Sequence, residues 1–229
     1  MHRVPTSNRR HPGVTLGAMQ ISEIFLSLQG EGPFQGLPTV FARFTGCDLR
    51  CTWCDTAHAF HGGRALSLDE LLLELNAHPC RRICLTGGEP LLQKNLPELM
   101  RRLLDGGWSV SLETGGHRSL AEVPVGVTQV VDVKCPGSGE GGSFLPANLD
   151  HLRPGDELKF VVADWADVEF AFGFLRGQTL PPGVTSRISP AWGCLDLPDL
   201  ARRIVESGLD VALALQLHKQ IWGAEARGV

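Results

Sequence analysis

The chain has 229 residues and is 43% hydrophobic, enough for one well-filled core, so a single domain is the expected organisation. Its 21 basic and 25 acidic residues leave a formal charge of −4, and the basic residues run no longer than pairs such as Arg101 and Arg102, which argues against nucleic acid or an anionic membrane as a partner. No segment reaches the ~18 consecutive apolar residues of a membrane span, and seven cysteines, an odd number, do not read as an extracellular disulfide framework, so a reducing cytoplasm is expected.

Residues 1–17 are polar, carry two prolines and two glycines, and lack the apolar run of a secretory signal. They are expected to form a flexible N-terminal leader, with 18–229 as the one domain. Residues 21–28 and 38–44 then predict two short strands around the glycine-rich turn QGEGPFQG, and a cysteine loop follows the second. Ser67 and Glu70 have the spacing of a capping box at the head of an amphipathic helix, and 81–86 predicts a buried strand ending at Gly87.

The alternation then repeats. Residues 95–107 predict a helix with Pro97 in its first turn and Gly106 past its last, and 108–114 returns to strand. Further strands are expected at 127–133, 156–162, 184–189 and 210–218, with helices at 165–177 and 196–208 closed by glycines. Alternating strand and helix implies a parallel sheet. Eight strands with only about four helices predict an α/β fold built as a partial, incompletely helix-clad (β/α) barrel. Ligand crevices in such sheets lie at the carboxyl ends of the strands, so one pocket is expected to collect Cys47, Gly87, Glu113, Lys134 and Ser189.

Cys47, Cys51 and Cys54 form a CxxxCxxC loop. Thiolates are soft ligands suited to zinc or iron–sulfur, and so tight a loop can wrap one side of a cuboidal cluster. Three cysteines on a four-iron core leave one iron without a protein ligand, an open position that an amine and carboxylate can chelate. The competing arrangement is a zinc site completed by His58 or His61, although zinc spacings usually come as paired CxxC units and no second pair is present. Cys84 is expected to point inward, and Cys135 and Cys194 to be core or rim residues.

CxxxCxxC with Trp53 before its last cysteine, followed by the strand-end motif TGGEP at 86–90, resembles the radical S-adenosylmethionine (SAM) superfamily. Within it, LQGEG (28–32), Arg43 four residues before the first cysteine, CDT (54–56), ETGG (113–116), DVKCPGSG (132–139), ELKFVV (157–162) and LQLHKQIWG (215–223) resemble the 7-carboxy-7-deazaguanine synthase family. The resemblance implies a [4Fe-4S] cluster on Cys47, Cys51 and Cys54, SAM, and a magnesium ion at Thr56. The implied reaction converts 6-carboxy-5,6,7,8-tetrahydropterin into 7-carboxy-7-deazaguanine with loss of ammonia, on the route to queuosine and other 7-deazapurines. A flavodoxin or ferredoxin electron donor and a homodimer are implied as well.

By the same resemblance Trp53, Cys54, Asp55, Gly88, Glu113, Asp132 and Lys134 belong to the SAM site. Leu28, Gln29, Gly30, Glu31, Arg43, Thr86, Gln216 and His218 belong to the substrate site, and no residue is singled out as an acid or base. Arg43 offers a planar fork for the substrate carboxylate. The family pattern has asparagine after Thr114, where this chain has Gly115. The alternatives are a radical activase acting on a protein partner and a non-enzymatic zinc-binding module. Pterin binding separates the first, and iron and sulfide content the second.

Overall fold

The computed structural model describes residues 17–229; residues 1–16, nearly the whole of the expected leader, lie outside the described residues. One nine-stranded sheet carries the fold. Its strands are β1 (Met19–Leu28), β2 (Pro38–Phe44), β3 (Arg64–Leu66), β4 (Arg82–Gly87), β5 (Ser109–Thr114), β6 (Val127–Asp132), β7 (Glu157–Val162), β8 (Thr185–Pro190) and β9 (Ala212–Leu213). They lie in the order β3-β1-β2-β4-β5-β6-β7-β8-β9, so the sheet ends in two different edge strands and does not close. Every pair from β2 to β9 is parallel, whereas β1 runs antiparallel to both β2 and β3. This is the expected partial barrel.

Four helices clad the outside: α1 (Leu68–Asn76), α2 (Leu96–Asp105), α3 (Trp165–Arg176) and α4 (Leu197–Glu206). Their starts follow the local chemistry. Ser67 and Glu70 close a capping box at α1, and Asp164 and Asp196 each accept a backbone N–H three residues on at α3 and α4. α2 buries Leu96, Leu99, Met100 and Leu103, an i, i+3, i+4, i+7 stripe, against strand residues such as Ile83, Val110 and Leu112. The central strands are buried on both faces, as a parallel sheet requires.

Two local readings are corrected. Residues 210–218 form only the two-residue β9 and then enter a short helix, α5 (Leu217–Trp222), because the apolar run VALAL supplies strand character while the edge position gives it a partner on one side only. β3 is additional; it is held by pairing with Met19–Ile21, a contact that local pattern does not reveal. No described helix is long and apolar enough to cross a membrane.

Candidate active site

The parallel strands all end on one side of the sheet, and a cavity of about 530 Å³ opens there, within the ~300–1,000 Å³ range of small-molecule sites. The β1–β2 turn curls under the sheet and supplies its floor. Gln35 fixes that turn by donating to the carbonyls of Gly30 (2.9 Å) and Leu215 (2.7 Å), and Leu217 N–H donates to Gly30 O at 2.9 Å. Gly30 leaves room for His218: a Cβ would lie 2.0 Å from its Nδ1, so the imidazole packed onto the turn would have to shift.

Cys47, Cys51 and Cys54 line one wall of the cavity with their thiols free. Their loop is held from two sides. Asp48 accepts from His117 Nε2 at 2.7 Å and from Arg118, both just past β5. On the other side Thr52 N–H and Oγ1 donate to the carbonyls of Ser138 and Gly137. The Gly87–Gly88 turn lies directly against it, with Gly88 N–H on Phe44 O and Glu89 N–H on Gly46 O at 2.7 Å. A Cβ at Gly88 would meet Gly46 O at 2.2 Å and the Cys47 Cβ at 2.9 Å, so this approach admits only glycine. Burial, then nearby Glu89 and Asp48, raises the Cys47 thiol; burial also raises Cys51 despite the opposing charge of Lys134. A bound cation core would reverse that penalty by ligating the thiolates.

Glu89 is fully buried and accepts from Thr114 Oγ1, from Gly115 N–H (2.9 Å) and from Leu91 N–H (3.0 Å). Facing it at 3.7 Å is Nδ1 of His117, buried and without a hydrogen-bond partner among the described residues. With Nε2 on Asp48, the other ring nitrogen of His117 faces the Glu89 carboxylate across this gap. The Glu89 carboxylate beside three thiols is a donor set that fits a primary ammonium such as the amino group of SAM. The same geometry accounts for Gly115: a Cβ there would come within 2.9 Å of His117 Nδ1, so the imidazole occupies the space a larger residue would need.

All the residues singled out from sequence for metal, cofactor or substrate line this cavity. On the floor, Leu28, Gln29, Gly30 and Glu31 face Gln216 and His218 from the C-terminal segment. Gln29 donates to Glu113 (3.1 Å), which also accepts from Thr86 (3.0 Å). Arg43 donates through Nε to Glu23 at 2.6 Å and keeps its terminal nitrogens for a second acceptor. Trp53, Asp55 and Thr56 continue the cysteine wall; Thr56 Oγ1 donates to Asp55 (2.9 Å), and Asp55 accepts from the nearly buried Lys219 at 2.8 Å. Burial alone would raise Asp55, but the hydrogen bond and charge of Lys219 outweigh it and hold the carboxyl at about 2.

Asp132 and Lys134 pair at 2.5 Å beside Cys51. Burial lowers the His218 imidazole, which favours its neutral form. Ser189 is corrected: it is buried without lining the cavity, although its register partner Val161 does, and Ala191, Trp192 and Cys194 just beyond the strand line the rim instead. Cys84 and Cys135 are buried. Glu23, His117 and Lys159 also line the cavity and had no individual signal; only their cross-strand partners give them a role.

The family model described as the radical SAM superfamily matches residues 42–124, which span the cysteine loop and the Gly-Gly-Glu-Pro turn. The 7-carboxy-7-deazaguanine synthase of Koribacter versatilis is 50% identical over 226 residues, covering 92% of this chain and all of the relative. That of Thermoplasma acidophilum is 39% identical, covering 90% of this chain and 98% of the relative. Among solved structures, QueE from Escherichia coli superposes with a TM-score of 0.72 at 26% identity, covering 88% of this chain and 95% of that one. These relatives favour neither the activase nor the zinc-module alternative. With matches of this extent, the chain belongs to the 7-carboxy-7-deazaguanine synthase family of radical SAM enzymes.

Proposed function

We propose that the chain converts 6-carboxy-5,6,7,8-tetrahydropterin into 7-carboxy-7-deazaguanine with loss of ammonia, a step of queuosine and 7-deazapurine biosynthesis. The observation that carries this reading is one cavity bounded by three free thiols at one end and by the Gln29–Glu31 turn at the other. Cys47, Cys51 and Cys54 would hold the [4Fe-4S] cluster, and Gly88, Trp53, Asp55, Asp132 and Lys134 surround the space for SAM. Together the cluster and SAM supply one-electron chemistry that no side chain can supply.

The remaining residues orient the pterin and exclude water. Gln29 and Glu113, already hydrogen-bonded to each other, present an amide and a carboxylate suited to the donor–acceptor edge of a pterin. The free end of the Arg43 fork meets the substrate carboxylate, and Thr86, Glu31, Gln216 and His218 close the pocket around the ring. A magnesium ion would take the Thr56 hydroxyl and complete its shell with water and substrate oxygens, an arrangement that needs few protein ligands. The proposal extends to a flavodoxin or ferredoxin as electron donor, a homodimer and a cytoplasmic setting, all on family grounds.

The test is an anaerobic assay of the reconstituted protein with the pterin, SAM and a low-potential reductant. Formation of 7-carboxy-7-deazaguanine and ammonia in equal amounts is expected; SAM cleavage without a pterin-derived product would overturn the reading.

A further inference from the structure

Lys159 is an enclosed cation on the cavity wall. It stands on β7, where the parallel register sets it directly beside Asp132 of β6, and its ammonium reaches Glu31 Oε2 at 2.5 Å and Asp132 Oδ1 at 3.7 Å. Its side chain is 12% exposed. The neighbouring carboxylate on its own strand, Glu157, is taken by Arg187, so it does not neutralise Lys159. One ammonium therefore serves two carboxylates from opposite ends of the site. Glu31 belongs to the substrate turn, where Gln216 also holds it at 2.7 Å; Asp132 belongs to the cofactor end, where Lys134 holds it.

Here we propose that Lys159 is the positioning residue that couples the two halves of the site, so that SAM and the pterin each bind more tightly in the presence of the other. The inference rests on the functional reading above. At 2.5 Å the ammonium donates fully to Glu31 and at 3.7 Å a Coulombic contact reaches Asp132, so one charge is shared unequally between the two ends of the site. A ligand that contacts either carboxylate changes its hold on the shared ammonium, and through it the charge and position of the carboxylate that faces the other ligand. Linkage makes the effect reciprocal.

Charge supports the same arrangement. Burial pulls against a charged Lys159, but Asp132 and Glu31 overcome it and hold the ammonium well above its ordinary range. Glu31 is likewise held ionised by Lys159 against burial, with Gln216 and His218 facing it from the C-terminal segment and Glu157 from below.

The experiment measures SAM dissociation constants by equilibrium dialysis on anaerobic, cluster-loaded protein without reductant, so that no turnover occurs, with and without saturating 6-carboxy-5,6,7,8-tetrahydropterin. The wild-type chain is expected to bind SAM on the order of tenfold more tightly with the pterin present. Lys159→Met should bring that ratio close to one. If Lys159→Met does not fold by circular dichroism, Asp132→Asn, which leaves the Lys159–Glu31 pair intact, should abolish the ratio in its place. A folded variant that keeps the wild-type ratio, or a wild-type ratio of one with both ligands bound, overturns the inference alone. Failure of the pterin to bind the wild-type chain at all overturns the functional reading, and the inference with it.

Discussion

Gly88→Ala tests how the cysteine loop and the Gly-Gly-Glu-Pro turn fit together. Gly88 does not have a positive φ, so alanine introduces no backbone strain and the effect is purely steric. The new Cβ would stand 2.2 Å from the Gly46 carbonyl oxygen and 2.6 Å from its carbon, where ordinary contact begins near 3.4 Å. The obstacle is backbone rather than the tip of a mobile side chain, so the loop must retreat by about 1 Å and strain the 2.7 Å bond from Glu89 N–H to Gly46 O. Overpacking of this kind costs about 1–3 kcal/mol, which for a chain of this size lowers Tm by roughly 2–12 °C. Because Cys47 follows Gly46, the first thiolate moves too. Thermal denaturation of the metal-free chain and iron and sulfide content after reconstitution are the assays; a variant with wild-type Tm and a full cluster would refute the packing argument.

Gly173, exposed on α3 with nothing near its added Cβ, is the opposite case: Gly173→Ala should stabilise the metal-free chain by about 0.5–1 kcal/mol, read from denaturant unfolding, and a loss of stability would contradict the open space seen there. Cys51→Ala should lose the cluster and all turnover yet keep the circular dichroism spectrum of the metal-free protein, since the loop lies outside the hydrophobic core; a four-iron cluster at wild-type occupancy would contradict its role as a ligand. Arg43→Ala should weaken pterin binding by about 1.5–3 kcal/mol, the worth of a charge-assisted contact, with SAM affinity little changed; an unaltered pterin dissociation constant would remove Arg43 from the substrate site. The Asp55 carboxyl, held at about 2 against an ordinary ~3.9, favours folding above the ordinary value, and that contribution is lost as pH falls through about 2. Lys219→Met should therefore move acid unfolding to higher pH, and an unchanged acid midpoint by circular dichroism would show that the pair does not hold this wall.

Much of the site could be read locally. The CxxxCxxC loop, the Gly-Gly-Glu-Pro turn and the strand-end positions of Arg43, Thr86, Glu113 and Asp132 follow from spacing along the chain, and parallel topology then brings them to one rim. The start of α1 at Ser67 was equally legible, because a cap is a contact across three residues, whereas the Asp196 cap of α4 emerged only in the structure. The segment at 210–218 misled for the converse reason: apolar content favours a strand, but only Ala212 and Leu213 pair with β8 before the chain turns into α5.

Local sequence carries the chemistry available: three thiolates, a glycine turn able to approach them, and a parallel sheet to assemble both. Which charges share a partner depends instead on contacts between segments far apart in the chain. Lys159 meets Glu31 across 128 residues and Gln216 meets the same carboxylate across 185, and neither distance leaves a periodicity to detect. His117 fills the space beside Gly115, and Glu23 takes one side of the Arg43 fork, for the same reason. Local motifs are written by short-range sterics and hydrogen bonding, whereas electrostatic pairing inside a sheet is set by register, and register is a property of the whole fold.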